Sequence, residues 1–266
     1  DCDPLLARSP QYSPSDCAFQ NPPNPDARPH RSTWDIWSRM LLEKKVGTVP
    51  VDPIPVRKLD RAALAAVDAT ANHIIRLGHS SHLLRLRGKW WLIDPVFGER
   101  VSPFSFVGPK RFHEPPVALA DVPPIEGLVL SHDHYDHLDV PTIEALKDRV
   151  QRYFVPLGVG QRLRDFGVPA DRIEEMDWWQ TRQWGEVTVT AAPAQHFSGR
   201  TLSDRNRTLW AAWALKSGGE TIFYSGDTGY FPGFKDIRSK IGAIDIALME
   251  NGAYDSYWPT VHMTPE

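Results

Sequence analysis

The pattern of apolar and polar positions changes character twice along the chain. From Asp1 to about Pro29 it has no period, only Pro, Ser, Asn and Asp, which predicts an irregular surface arm over residues 1–30. Ser32-Thr33-Trp34-Asp35 then opens a helix, with Ser32 or Thr33 as its cap. Trp34, Trp37, Met40, Leu41 and Leu42 recur at helical spacing until Gly47, and a second short helix is predicted from Asp60 to Val67. Residues 31–72 therefore read as a helical extension on the outside of the core. Its Trp34/Trp37 face suits core packing better than contact with a membrane interface.

From His73 the period becomes that of strands. His73 to Leu77, Ser81 to Arg87 and Lys89 to Asp94 are β-rich runs parted by Gly78 and Gly88, with no helix between them. Val96 to Pro124 is a long proline-rich connection, of the kind that carries function. Gly127 to Leu130 is a buried strand, and Val140 to Val150 a helix with Pro141 near its start. Further strands follow at Arg152 to Pro156, Ile173 to Met176, Glu186 to Ala191, Leu209 to Leu215, Thr221 to Tyr224 and Ile244 to Met249. Helices are expected at Gly158 to Phe166 and Gly233 to Ile241, and Trp178 and Trp179 are expected in the core. A meander followed by alternation predicts an α/β (α+β) chain in which two mixed sheets pack face to face with helices outside. This is an αββα sandwich over residues 73–266.

At 266 residues with 11% aromatics the chain holds one large domain, or one with an appendage. A net charge of −3 gives no ground for nucleic-acid binding. No stretch is apolar enough to cross a membrane and no signal peptide is present, although a start at Asp1 fits removal of a leader. Cys2 and Cys17 both lie in the arm, and two thiols leave pairing open.

The chemistry concentrates in Ser131-His132-Asp133-His134-Tyr135-Asp136-His137-Leu138-Asp139, on the loop between a strand and a helix. His132 and His134, two apart on an extended segment, can grip one metal ion. Asp136 and His137 turn away with the chain and can serve a second ion close by. Asp227, at a strand end in Ser225-Gly226-Asp227-Thr228-Gly229, can bridge two cations with its two oxygens. The histidine-rich set favours zinc. Lys110 and Arg111 read either as phosphate contacts or as a solvated surface pair. His79 and His82 read as satisfied structural histidines.

The nine-residue run resembles the signature of the metallo-β-lactamase fold. Leu92-Ile93-Asp94-Pro95-Val96-Phe97, Gly108-Pro109-Lys110-Arg111-Phe112, Gln195-His196 and Gly226-Asp227-Thr228-Gly229-Tyr230 narrow the likeness. They resemble the branch of N-acylphosphatidylethanolamine-hydrolysing phospholipase D and its bacterial relatives, from about His73 onward. The resemblance implies that His196 completes a first metal site with His132 and His134, and that Asp94 supports the ligand loops from behind. It implies a second site on Asp136 and His137, with Asp227 bridging, and two Zn2+ per chain. A family H-M-x-P-E segment, here His262-Met263-Thr264-Pro265-Glu266, leads there to one more histidine ligand. The present sequence stops before it, so the chain is truncated or another group fills that position. His262 is then a candidate proton donor or substrate contact beside Asp136 in the catalytic set. The implied activity is metal-assisted hydrolysis of a phospholipid phosphodiester, with a hydrolase of lactones, β-lactams or sugar phosphates, or a scaffold without turnover, as alternatives. Bacterial relatives carry export or anchor segments, which favours a periplasmic or membrane-associated location with peripheral membrane contact.

Overall fold

The structure, a computed structural model, describes residues 2–28, 31–43, 47, 49–102 and 108–264, without the side chains of residues 33, 36, 37, 40 and 41. Two short strands, β1 (Tyr12–Ser13) and β2 (Ala18–Phe19), pair within the arm, and a Cys2–Cys17 disulfide closes it. The arm is thus not wholly irregular, nor wholly on the surface. Phe19 is 1% exposed and joins the core of the domain. A lone aromatic among prolines has no period to betray its burial.

Helix α1 (Thr33–Leu42) starts as expected, with Ser32 Oγ accepting the Asp35 amide. It ends before Gly47, and residues 44–46 of the predicted helix lie outside the described residues. Trp34 is 79% exposed, so core packing is wrong for that residue; the Trp37 side chain lies outside the described residues. Helix α2 (Arg61–Ala65) is capped by the Asp60 carboxylate on the Ala63 amide.

A six-stranded mixed sheet follows the order β3 (His73–Gly78), β4 (Ser81–Leu86), β5 (Lys89–Ile93), β6 (Ile125–Val129), β7 (Val150–Pro156), β8 (Ile173–Met176). The first three strands form the antiparallel meander, and β5 through β8 pair in parallel. Side chains alternate across a strand, so neighbours face opposite ways. Leu84, Trp91, Ile93, Val129 and Phe154 enter one core cluster, while Leu83, Trp90, Leu92, Leu128 and Tyr153 enter another. Burial of both faces explains why these strands read as continuous apolar runs.

The second sheet is ordered β13 (Ile246–Leu248), β12 (Glu220–Tyr224), β11 (Ala212–Ser217), β10 (Val187–Ala192), β9 (Thr181–Trp184). Its Val189, Trp213, Leu215 and Ile222 share one face, and that face joins the first cluster with the six-stranded sheet and fills the space between the sheets; the same cluster continues through Phe223 on the other face. Helices α3 (Val140–Leu146) and α4 (Val159–Asp165) bury Ile143, Leu146, Val159 and Leu163 in the other cluster, on the outer face of the six-stranded sheet. Helix α5 (Gly233–Ile241) adds Ile237 to the first. This is the expected αββα layering. Helix α3 stops at Leu146 rather than Val150, because Val150 already pairs with Ile125 in the sheet. Trp178 is buried with its indole N–H on the Trp210 carbonyl at 2.6 Å, whereas Trp179 is only half-buried. Among the described residues no helix is long and apolar enough to cross a membrane.

Candidate metal centre

The loops that leave β6, β10 and β12 bring their predicted side chains together at one edge of the sandwich. His132 Nε2 lies 2.8 Å from His134 Nδ1, and His196 Nε2 lies 3.3 Å from the same atom. These three histidines form one group whose ligand atoms all lie within 4.8 Å of one another. Asp227 spans the centre: Oδ1 is 3.2 Å from His137 Nε2, and Oδ2 is 3.9 Å from His196 Nε2. Asp136 lies next to His137, with Oδ2 3.9 Å from its Nε2.

Asp94 organises the centre from behind. It is fully buried, and its backbone takes the left-handed conformation, with φ 40°. Its Oδ1 accepts the Ser131 amide at 2.7 Å. Its Oδ2 accepts from the Ser131 hydroxyl, from His137 Nδ1 at 2.7 Å and from the Tyr224 hydroxyl at 2.6 Å. The Ser131 hydroxyl, its proton given to Asp94, accepts from His132 Nδ1 at 2.9 Å. His196 Nδ1 donates to the Val261 carbonyl at 2.9 Å. In His132, His137 and His196 alike, Nδ1 donates to an acceptor behind the ring and Nε2 presents a lone pair to the centre. A protein carbonyl or carboxylate behind the imidazole is the usual arrangement for a metal-binding histidine.

The residues fit a cation. Lone pairs of several imidazoles converge, and His137 Nε2 is buried facing Asp227 without a hydrogen-bonding geometry. Acceptors so placed repel unless positive charge lies between them. Without a metal, a proton serves. Burial lowers the His137 pKa, but Asp227 and Asp136 outweigh it and hold the imidazole well above its ordinary value. Burial, and then neighbouring imidazoles, push His132 well below the ordinary histidine value. Burial pushes His196 down likewise, against the pull of Asp227. Burial alone would raise the Asp227 carboxyl, yet the facing His137 brings it well below the usual carboxylate range.

His79 has the hydrogen-bond partner expected of a satisfied histidine, and that partner belongs to the centre. It follows β3 with φ 45°, and its Nε2 lies 3.1 Å from Asp136 Oδ2. With Asp136 and His137 it makes a second group of ligand-type side chains. Only the fold brings His79 to Asp136; Gly78-His79 alone carries no spacing signal. His82 keeps its structural reading, with Nδ1 on the Ser80 carbonyl at 3.0 Å and burial lowering its pKa.

His262 stands beside the centre in a group with His196 and Asp227. Its Nδ1 lies 3.1 Å from both oxygens of Glu250, a carboxylate that sequence reasoning missed because it sits in an ordinary strand-end position. The Thr228 and Met263 amides also donate to Glu250, each at 3.0 Å. Residues 265–266 of the His262 motif lie outside the described residues.

Of these residues His79, His134, Asp136, His196, Asp227, Glu250 and His262 line one cleft of about 910 Å3, whose wall includes Ile54, Phe112, Phe197, Leu248 and Met249. Lys110 and Arg111 line it too. Lys110 is paired with Glu99, and Arg111 is braced on the carbonyls of Gly98 at 3.1 Å and Val96 at 2.9 Å. Only Nη1 of Arg111 is buried without a partner. Arg111 therefore holds the loop at least as much as it faces the cleft.

Residues 89–266 match the family described as Beta-lactamase superfamily domain, and the chain belongs to it. With its two mixed sheets it has the metallo-β-lactamase fold, and its His and Asp groups support a divalent metal. An uncharacterised protein of Mycobacterium tuberculosis is 45% identical over 233 residues, covering 87% of this chain and 61% of that protein. N-acyl-phosphatidylethanolamine-hydrolyzing phospholipase D 1 of Caenorhabditis elegans is 36% identical over 202 residues, covering 71% of this chain and 57% of that protein. This chain thus spans about three fifths of the length of these relatives. An isothiocyanate hydrolase from Delia radicum gut bacteria shares the fold, with a TM-score of 0.57, 19% identity and coverage of 73% of this chain and 77% of that one.

Proposed function

We propose that the protein is a dinuclear, zinc-dependent phosphodiesterase of phospholipase D type, acting on N-acylphosphatidylethanolamine-like lipids. The observation that carries the dinuclear reading is Asp227, whose two oxygens face two groups of ligand-type side chains at once. His132, His134 and His196 would hold one ion. Asp136 and His137 would hold the other, with His79 at Asp136. Zn2+ suits the imidazole-rich set. When bound, such ions acidify water and stabilise charge developing on phosphoryl oxygens.

The remaining work falls to this chain's own residues. Ser131, Asp94 and the Val261 carbonyl hold the ligand imidazoles in one tautomer. Glu250 holds His262 Nδ1, which directs the other ring nitrogen outward as the proton donor to the departing alkoxide. Burial lowers the His262 pKa, but Glu250 and Asp227 raise it further, so the imidazole keeps a proton to give. Water adds to phosphorus, the bond from phosphorus to the ethanolamine oxygen breaks, and phosphatidate and an N-acylethanolamine leave.

The lipid substrate rests on the named relatives and on the apolar wall of the cleft. The exposed Trp34 of α1 supports peripheral membrane contact, and the Cys2–Cys17 disulfide supports an oxidising compartment such as the periplasm. The test is incubation of the protein with Zn2+ and N-acylphosphatidylethanolamine in mixed micelles, with products read by mass spectrometry. Release of phosphatidate supports the proposal. Cleavage of water-soluble esters with no phosphatidate removes it.

A further inference from the structure

Among the described residues no hydrogen bond from the metal centre's own loops reaches the backbone of His196. Its neighbour Gln195 is tied to the Asp227 loop, through Thr228 Oγ1 at 2.9 Å and the Gly229 amide at 2.8 Å. The peptide groups of His196 itself turn to the N-terminal arm. The His196 amide donates to Asn21 Oδ1 at 2.9 Å, and Asn21 Nδ2 donates to the His196 carbonyl at 2.8 Å. One planar side chain thus grips both sides of one residue, as a partner strand would.

We infer that Asn21 is a positioning residue for the metal centre, and that the disulfide-closed arm is a working part of that centre. It rests on the reading of His196 as a ligand. A primary amide carries a donor and an acceptor in one plane, which aspartate and serine do not at this reach. Together with the Nδ1 bond to the Val261 carbonyl, the clamp fixes His196 by three hydrogen bonds from two remote segments, leaving Nε2 for the ion.

The arm is itself held firmly enough to act this way. Phe19, two residues before Asn21, is buried in the core, and its amide donates to the Asn206 carbonyl at 2.8 Å. Arg207 Nη1 donates to the Cys17 carbonyl at 2.9 Å, and the disulfide ties Cys17 back to Cys2. Beyond Asn21, the Asn24 side chain donates to the Tyr230 carbonyl at 3.2 Å. Among the described residues Asn24 makes no hydrogen bond to His196 or to any other residue of the centre, so it separates loss of arm anchorage from loss of the clamp.

The experiment uses the whole chain with Zn2+ and Co2+. Affinity is read by competition with a chromophoric chelator, and ligand geometry by the visible absorption of the Co2+ form. Asn21→Ala should weaken binding about 10- to 100-fold, the usual effect of losing a group that orients a ligand, and should alter the Co2+ spectrum. Asn21→Asp keeps the acceptor for the His196 amide and loses the donor, so it should fall between Asn21→Ala and wild type. Asn24→Ala should bind as wild type does. Wild-type affinity and spectrum in Asn21→Ala overturn the inference. If that variant does not fold, the same result in the isosteric Asn21→Asp overturns it. His196→Ala distinguishes the two failures. If it binds metal normally, the ligand reading falls and the inference with it. If it binds weakly while both Asn21 variants bind normally, the inference alone falls.

Discussion

Asp94→Asn tests the centre at its most connected point. The substitution keeps the shape of the side chain and one acceptor oxygen. In the native protein Oδ2 accepts from the Ser131 hydroxyl, His137 Nδ1 and the Tyr224 hydroxyl, while Oδ1 accepts the Ser131 amide. If the asparagine oxygen faces the Ser131 amide, its NH2 faces three donors. Two of these are hydroxyls, which can turn and accept. His137 can accept only by moving its proton to Nε2, which removes the lone pair presented to Asp227 and the centre. The opposite flip sets NH2 against the Ser131 N–H, a donor that cannot turn. Loss of one hydrogen bond to a charged group costs about 1.5–3 kcal/mol of stability. Metal affinity should fall about 10- to 100-fold, or about 1.4–2.8 kcal/mol at about 1.4 kcal/mol per tenfold. Chelator competition reads the affinity, and urea unfolding of the metal-free protein reads the stability. An Asp94→Asn protein that binds Zn2+ within twofold of wild type, with an unchanged urea midpoint, would refute the account of how His137 is held.

Further outcomes follow from the same geometry. In the metal-free protein His262 has its pKa raised above 6.5, so its stabilisation is complete below about 6.5 and is lost as pH rises through the folded value. The gap in urea midpoint between wild type and His262→Gln should therefore close with rising pH, and a gap that widens contradicts the pairing with Glu250. Replacing Cys2 and Cys17 by Ser opens a link between residues 15 apart, which should cost about 3 kcal/mol by loop entropy; an unchanged midpoint under non-reducing conditions counts against a structural role for the bond. A Cβ on Gly229 would stand 1.9 Å from the Thr260 carbonyl oxygen. Gly229→Ala should then cost about 1–3 kcal/mol and disturb metal binding through the adjoining Val261 contact to His196; wild-type stability would show that the backbone yields freely.

What the sequence reveals of this fold follows from burial. Strands β4 to β7 have both faces covered, so Leu83-Leu84, Trp90-Trp91 and Leu128-Val129 appear as unbroken apolar runs and are found within a residue or two. Strand β9 reads Thr181-Arg182-Gln183-Trp184 and lies at a sheet edge with its first three residues exposed. It pairs with β10 through backbone bonds, which leave no pattern in side-chain polarity. The arm fails differently. Phe19 and Asn21 act one at a time, on a core and on a peptide group far away in the chain, and a single residue has no period.

The same contrast holds inside the centre. His132, His134, Asp136 and His137 share one loop, so their spacing already carries the chemistry. His79, Asn21 and Glu250 lie apart and gain meaning only when strand ends meet. Asp94 shows why that meeting is specific. It follows β5, holds Ser131 and His137 of the loop after β6, and is held by Tyr224 at the end of β12 in the opposite sheet. One buried carboxylate therefore joins both sheets and orients the ligand loop. It can do so only when β5, β6 and β12 are in native register, so the lone pairs converge only in the folded chain. Metal affinity and folding must then be coupled. A substitution that loosens the seam between the sheets should weaken metal binding even where it touches no ligand.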